Sequence, residues 1–200
     1  MRWLEWIQTL TTISQRGLAY SKDPYDRDNY ELLRELCAEM VMAGAPGSAD
    51  AKAILSAQSG YPTPKVDVRA AVFHEGRLLL VREAQDGRWA LPGGWADLGV
   101  SPGDMAAKEV REEAGLEVKA RRLLGVFGKR GDGASVFSVY KLIFHCELLG
   151  GEARPNHETT EVRFFPRDAL PDLSMFRTHP RHLEVVFAGV DDPTRPTFFE

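Results

Sequence analysis

The chain has 200 residues and a formal net charge of −4, with 44% apolar and 27% charged residues. These values are ordinary for a globular protein of one large or two small domains, and the charge argues against nucleic-acid binding, which usually needs a basic surface. No apolar run approaches the roughly 18 residues of a membrane span. Cys37 and Cys146 form no CxxC pair, and charge interrupts the first residues too early for a secretory signal. We therefore expect a cytoplasmic protein with two reduced thiols and no membrane partner.

Apolar residues in the leading segment recur at helical spacing. Residues 3–17 predict an amphipathic helix that ends at Gly17, and residues 28–42 predict a second helix. The apolar face of the second helix is expected to contain Leu32, Leu33, Leu36, Met40 and Val41. A short third helix is predicted over 49–57.

A run rich in glycine and proline at 60–64 is typical of a linker. We therefore predict a helical N-terminal domain over 1–60 and a second domain over 65–200. The second domain alternates between strand-like and helix-like patterns, which indicates an α/β or α+β fold. Strands are expected at 66–73, 77–81, from Trp89, at 118–127, 136–148 and 161–165, and a closing helix is expected at 178–188.

Between these strands, Leu91-Pro92-Gly93-Gly94-Trp95 predicts a tight turn whose glycines let the backbone approach a ligand. A well-punctuated helix follows this turn. Ser101 is a suitable N-cap, Pro102 suits the first helical position, and Gly115 is the expected stop. The apolar stripe of this helix is expected to contain Gly103, Ala107, Val110 and Ala114.

Three glutamates of this helix, Glu109, Glu112 and Glu113, have spacings of three and four and are expected to be neighbours on one face, on a different arc from the apolar stripe. Like charges at such spacings destabilise a helix by roughly a few tenths of a kcal/mol per pair. The cluster is favourable if it binds a divalent cation, because magnesium and manganese prefer carboxylate oxygens and water.

These residues resemble the Nudix box, G-x5-E-x7-R-E-U-x-E-E-x-G-U, in which U is apolar. Matches at the proper spacing are Gly94, Glu109, Val110, Glu112, Glu113, Gly115 and Leu116. Two positions depart from the box: Lys108 replaces the usual arginine and loses its bidentate fork, and Val100 replaces the first glutamate. The resemblance implies an α/β/α sandwich with a mixed sheet and a hydrolase that cleaves phosphoric anhydrides with Mg²⁺ or Mn²⁺.

The same resemblance implies site residues. The metal ligands would be Glu109, Glu112 and Glu113, with the Gly94 carbonyl as a further ligand. A later loop usually supplies another carboxylate, for which Glu158 is preferred as a ligand or general base and Glu161 is the second choice. Trp95 and Trp6 are candidates for contact with the base or linked group, and Arg69 and Arg82 are candidates for contact with phosphate.

The leading segment resembles the small helical domain that precedes some bacterial Nudix hydrolases acting on nucleoside diphosphates linked to another group, including CDP-choline pyrophosphatases. The resemblance rests on Trp6, Gly17-Leu18, Tyr20-Ser21, and Tyr25-Asp26 through Tyr30, and it implies a homodimer. CDP-choline is expected ahead of ADP-ribose, because an aromatic face such as that of Trp95 suits a quaternary ammonium. Two alternatives remain open: a nucleoside triphosphate pyrophosphohydrolase that removes oxidised nucleotides, and a catalytically weak ligand-binding regulator, which the valine at position 100 suggests.

Overall fold

The computed structural model describes residues 2–44, 60–129 and 138–200. The chain forms two compact units, of which the first contains the leading helices and the second contains residues 65–129 and 139–200. The predicted third helix at 49–57 lies outside the described residues.

Two long helices form the leading unit, and both extend beyond their predicted bounds. Helix α1 spans Arg2–Tyr20 and helix α2 spans Pro24–Gly44. The prediction that Gly17 ends α1 is wrong: the helix continues to Tyr20. Gly17 lies inside the helix and packs against the ring of Tyr30, which a Cβ at position 17 would approach to 2.4 Å. Helix α2 begins four residues earlier than expected, since Oδ1 of Asp23 accepts hydrogen bonds from the backbone N–H groups of the first turn.

The buried face of α2 differs from the predicted one. Its buried residues are Cys37, Ala38 and Val41, which pack with Ile7 of α1. Three members of the predicted face are exposed instead, namely Leu32, Leu36 and Met40. Small residues let the two helices approach closely, and the larger side chains consequently lie along an exposed stripe.

The second unit is built on a mixed sheet, as predicted. Its strands are β1 (Lys65–His74), β2 (Arg77–Glu83), β3 (Trp89–Ala90), β4 (Gly93–Trp95), β5 (Leu116–Lys129), β6 (Val139–Gly151), β7 (Thr159–Phe165) and β8 (Phe198–Phe199). The main path runs β3-β2-β1-β6-β5-β8, while β4 pairs with β1 and β7 pairs with β2. The β1–β6 and β5–β8 pairs are parallel and the other pairs are antiparallel.

Two of these strands were not predicted from the sequence. The Gly-rich segment expected as a turn forms β4, in which Gly94 pairs with Val68 and Gly93 pairs with Arg69. Gly93 has φ 145°, and a Cβ there would lie 2.0 Å from the Val68 carbonyl oxygen, so only glycine permits this close pairing. Strand β8 is too short to give a hydrophobic period.

Helices cover both faces of the sheet and make the α/β/α arrangement. Helix α3 (Pro102–Ala114) lies on one face and helix α4 (Pro180–Asp191) lies on the other. Strand alternation separates the two cores: Val68, Ala70 and Val72 of β1 pack with α3, whereas Ala71 packs with α4. In the described residues, no helix is long and apolar enough to cross a membrane.

The predicted caps of α3 are confirmed. Ser101 accepts a hydrogen bond from the backbone N–H of Asp104, Pro102 occupies the first turn, and Gly115 adopts the left-handed conformation with φ 70°. The expected apolar stripe is incomplete, because the buried face also contains Met105, Ala106 and two glutamates. Val100 precedes the helix and packs, partly buried, against the same core.

Candidate active site

Helix α3 directs two of its glutamates towards the sheet. Glu109 and Glu113 lie one turn apart and are buried, with exposed fractions of 9% and 5%. Glu112 lies on the outer surface of the helix, where its Oε2 is 3.6 Å from Nζ of Lys108. Steps of about 100° per residue place all three glutamates within one arc of about 100°, with Glu112 at its outer edge and Glu109 and Glu113 towards the sheet.

The glycine pair of β4 contacts both buried glutamates. The backbone N–H of Gly93 donates a 2.8 Å hydrogen bond to Oε2 of Glu113. A Cβ at Gly94 would lie 2.9 Å from Oε1 of Glu109. The absence of side chains at these two positions thus makes room for both carboxylates beside the strand.

Strand β1 contributes a buried ion pair to the same region. Arg69 donates from Nε and Nη2 to the two carboxylate oxygens of Asp67, at 2.8 and 3.0 Å, and from Nη1 to the Leu91 carbonyl at 3.1 Å. Nζ of Lys141 lies 3.2 Å from Oδ1 of Asp67. Burial alone would raise the pKa of Asp67, but attraction to Arg69 and Lys141 lowers that pKa to about 2. This carboxylate is therefore ionised at neutral pH.

A second ion pair joins β2 to the segment before α4. Oε1 of Glu83 is 3.1 Å from Nε of Arg177, and Nη2 of Arg177 donates a 2.8 Å hydrogen bond to Oε1 of Gln85. Glu83 is buried, with an exposed fraction of 5%. Burial raises the pKa of Glu83, and attraction to Arg177 and Arg69 opposes that rise.

These groups surround a cavity of about 620 Å³. Its lining combines carboxylates, two guanidinium groups, the glycine pair and two aromatic rings, from Asp67, Arg69, Glu83, Ala84, Gln85, Gly93, Gly94, Trp95, Glu109, Glu113, Glu158, Phe176 and Arg177. The size is typical of a small-molecule site. The convergence of acidic groups with fixed arginines favours a ligand that carries phosphate together with a cation.

The buried glutamates have strongly perturbed ionisation. Burial raises the pKa of Glu113 to about 8 and that of Glu109 to about 7, although Arg69 attracts both carboxylates. Repulsion from Glu112 adds to the rise at Glu109, and repulsion from Glu109 and Glu83 adds to it at Glu113. Such shifts are common at functional sites, because a cation or proton is needed to balance the charge.

The structure brings together six of the predicted site residues on the cavity wall, namely Arg69, Gly94, Trp95, Glu109, Glu113 and Glu158. Two others of the same unit are not on this wall: Glu112 is on the exposed helix surface, and Arg82 pairs with Glu161 at 2.7 Å. Trp6 belongs to the helical unit, where it is 61% exposed. Arg82 points away because alternate residues of a strand face opposite sides, and its neighbour Glu83 faces the cavity.

Sequence reasoning missed Asp67, Glu83, Gln85, Phe176 and Arg177. Strand alternation offered a signal for two of them, since Asp67 shares a face with Arg69, and Glu83 lies on the opposite side from Arg82. Arg177 offered no signal, because it reaches the cavity from a segment more than 90 residues away from Glu83 in sequence.

The donor set fits a hard divalent cation. Glu109, Glu113 and Glu158 provide carboxylate groups in the cavity lining, beside the glycine pair of β4. In the described ranges, no group of three or more carboxylate, imidazole or thiol side chains is arranged to hold a metal ion by itself. Magnesium usually takes one or two protein carboxylates and completes its shell with water and substrate phosphate, so this site suits an ion held jointly with a substrate.

Two family descriptions match the chain. Residues 1–50 match a UDP-X-like, N-terminal oligomerisation domain, and residues 63–187 match the NUDIX domain. The putative ADP-ribose pyrophosphatase YjhB of Bacillus subtilis is 40% identical over 202 residues, which cover 100% of this chain and 97% of that protein.

Solved structures give the same picture. The superposition with the crystal structure of a UDP-X diphosphatase covers 100% of this chain and 98% of that chain, with 34% sequence identity and a TM-score of 0.65. An ADP-ribose pyrophosphatase from Streptococcus suis shares 40% identity with a TM-score of 0.61, covering 69% of this chain and 100% of its own. Together with the match over residues 63–187, these likenesses establish that the chain belongs to the Nudix family.

Proposed function

We propose that the chain hydrolyses the pyrophosphate bond of a nucleoside diphosphate linked to a second group, giving a nucleoside monophosphate and a phosphorylated partner. The observation that carries this proposal is the placement of Glu109 and Glu113 against Gly93 and Gly94 in a cavity that also contains Arg69 and Arg177. This arrangement supplies ligands for a cation and positive charge for a diphosphate. The likeness of the whole chain to a putative ADP-ribose pyrophosphatase and to a UDP-X diphosphatase supports the substrate class.

Each site residue has a proposed part in this reaction. Glu109, Glu113 and the Gly94 carbonyl would hold the divalent cation, and Glu112 would complete the set after rotation of its exposed side chain. When bound, Mg²⁺ or Mn²⁺ neutralises phosphate charge and lowers the pKa of coordinated water. Glu158 accepts the proton of the attacking water, a role that its position on the cavity wall supports and that Glu161, paired with Arg82, fits less well.

Arg69 has a different proposed role from the one expected from the sequence. In the described residues, the hydrogen bonds of its guanidinium go to Asp67 and Leu91, so we assign it to holding the cavity wall and contributing positive charge. Trp95 is 48% exposed on the wall and is our candidate for stacking on the base or linked group. We do not assign Arg82 to the substrate, because its guanidinium contacts Gly87 and Glu161.

The relatives alter the order of substrates proposed from the sequence. We now place ADP-ribose and UDP conjugates ahead of CDP-choline, since the similar proteins bear ADP-ribose and UDP-X names. The test is a comparison of kcat/KM for the three substrates at equal Mg²⁺ or Mn²⁺, with identification of the products by mass. Adenosine monophosphate and ribose phosphate are the expected products from ADP-ribose. A tenfold preference for CDP-choline would restore the substrate ranking that was expected from the sequence.

We further propose that the helical unit forms a homodimer and that the protein works in the cytoplasm. The dimer is supported by the match of residues 1–50 to an oligomerisation domain and by the exposed apolar stripe of Leu32, Leu36 and Met40. Aromatic residues are enriched at such interfaces, and the exposed Trp6 is a candidate member. Cys37 and Cys146 are free and buried, which suits a reducing compartment.

A further inference from the structure

Arg177 differs from the other guanidinium group of the cavity in its unused hydrogen-bonding capacity. In Arg69, Nε, Nη1 and Nη2 all donate to Asp67 or Leu91. In Arg177, Nε faces Glu83 and Nη2 donates to Gln85, whereas Nη1 has no hydrogen bond in the described residues and lies 3.9 Å from Oδ2 of Asp86. That separation is too long for a hydrogen bond, so Nη1 can donate to a ligand.

The position of Arg177 is fixed by contacts on several sides. Its backbone N–H donates to the Ser174 carbonyl at 2.9 Å, and its carbonyl accepts a 2.6 Å hydrogen bond from Nζ of Lys141. Its side chain is 22% exposed and lies against the buried Glu83. A guanidinium held in this way loses little conformational entropy when it binds a phosphate oxygen, unlike a mobile surface arginine.

Glu83 is an unusual partner for this arginine. Its Oε1 is buried and has an ion-pair contact with Arg177 but no hydrogen bond with good geometry in the described part of the chain. An incompletely satisfied buried carboxylate destabilises a fold, so its presence indicates that it has another role. Orientation of the arginine towards the cavity is such a role, because Glu83 and Gln85 together engage Nε and Nη2 and leave Nη1 for the ligand.

The charges of the cavity wall also favour binding of the ligand by Arg177. Its carboxylates are those of Asp67, Glu83, Glu109, Glu113 and Glu158, and its guanidinium groups are those of Arg69 and Arg177. A diphosphate brings further negative charge into this acidic wall. Every nitrogen of Arg69 already donates a hydrogen bond, and its side chain is only 5% exposed. Arg177 is 22% exposed, and its Nη1 has no hydrogen bond in the described residues, so both N–H groups of this nitrogen are open to phosphate oxygens.

We propose that Arg177 binds the diphosphate of the substrate through Nη1, and that Glu83 and Gln85 act as positioning residues for its guanidinium. This inference rests on the proposed function and adds the residue that recognises the diphosphate. It predicts that the charge alone is insufficient, because a lysine lacks the planar fork that Glu83 and Gln85 orient.

The test measures binding of the α,β-methylene analogue of ADP-ribose by calorimetry in Mg²⁺, using the full chain. Arg177→Met should weaken binding at least tenfold, and Arg177→Lys should recover only part of the loss. Arg181→Met is the matched control, since it removes the same charge from a residue that is outside the cavity and pairs with Glu200. It should stay within twofold of the unaltered chain, and thermal melts should show that all variants fold.

The double variant Glu83→Gln/Arg177→Met separates phosphate binding from a purely structural role. If Arg177 only neutralises Glu83, removing both charges will restore affinity to that of the unaltered chain, and the proposal is wrong. If Arg177 binds the diphosphate, the double variant will remain at least tenfold weaker. Equal affinity of Arg177→Met and the unaltered chain would also contradict the proposal while leaving the proposed function intact. If the unaltered chain fails to bind the analogue, the same measurements are made with the methylene analogues of a UDP conjugate and of CDP-choline, and failure to bind any of the three would contradict both.

Discussion

Gly93 and Glu113 are joined by a 2.8 Å hydrogen bond from the backbone N–H of the glycine to Oε2 of the glutamate. The bond connects β4 to α3 across the candidate metal site. It orients a buried carboxylate whose pKa is raised to about 8 by burial, so that the carboxylate faces the cavity and not the core. The strand and the helix of the box therefore act together, and neither alone would make the site.

Substitution of Glu113 tests this arrangement. Glu113→Gln keeps the size of the side chain but removes the negative oxygen, so we expect turnover to fall by at least about 10²-fold through loss of ion positioning. Glu112→Gln should have an effect of the same order if its exposed side chain rotates to the ion. The control is Glu117→Gln, an exposed position on β5. Near-normal rates in both box variants, measured with saturating Mg²⁺, would contradict the metal assignment.

Val100 occupies the place where the box usually has a glutamate, and here it packs against the core. We expect Val100→Glu to change kcat/KM little, because the cavity already has Glu109, Glu113 and Glu158 on its wall. The variant should be less stable, since it places a charge against apolar residues. Val100→Leu is the apolar control. A large gain in activity from Val100→Glu would instead indicate that the natural site is impaired and favour a regulatory role.

The exposed stripe of α2 gives a test of the dimer. Leu36→Asp and Met40→Asp add charge to exposed side chains, so each should weaken self-association with little change in the folding of the monomer. The control is Glu35→Ala, which alters an exposed neighbour outside the stripe. Light scattering at micromolar concentration should report a dimer for the unaltered chain and a shift towards monomer for the two variants. A monomeric unaltered chain would refute the proposed dimer.

The partly buried His182 makes stability depend on pH. Burial, reinforced by the positive charge of Lys141, lowers the pKa of His182 to about 3 from its ordinary value of 6.5. Below pH 6.5, His182 binds a proton in the unfolded chain but not in the folded chain. The free energy of unfolding should therefore decrease as the pH falls from 6.5 towards 3. Urea unfolding at pH 7.5 and pH 5 would measure this difference. His182→Gln should reduce the slope, whereas His157→Gln, at a side chain that is 86% exposed, should not.

Local signals in the sequence predicted the box helix well. Ser101, Pro102 and Gly115 act within a single turn of the chain, so their effect does not depend on the rest of the fold. The same reasoning failed for β4, because Gly93 and Gly94 carry no hydrophobic period, and the pairing with β1 that makes them a strand is a long-range contact. It failed in a different way for α2, where the largest apolar side chains are exposed and the small Cys37 and Ala38 are buried.

The residues of the candidate site also divide into those that the sequence predicted and those that only the folded structure brings together. Helical spacing predicted Glu109 and Glu113 as site residues, and the resemblance to the family implied Glu158; all three line the cavity. Glu83 and Arg177 could not be predicted, since their ion pair joins two segments that only the folded sheet brings together. The pattern also could not show that Glu112 is exposed, because the direction of the helix towards the sheet decides which glutamates are buried.

The release of inorganic phosphate from nucleoside diphosphate conjugates, with and without added phosphatase, tests the central claim most directly. Hydrolysis between the two phosphates gives only monoesters, so a chain acting on ADP-ribose, UDP conjugates or CDP-choline should release phosphate only when phosphatase is present. The signal should disappear in chelator and return with Mg²⁺ or Mn²⁺. If none of the conjugates yields phosphate under these conditions while oxidised nucleoside triphosphates are cleaved, the proposed substrate class is contradicted.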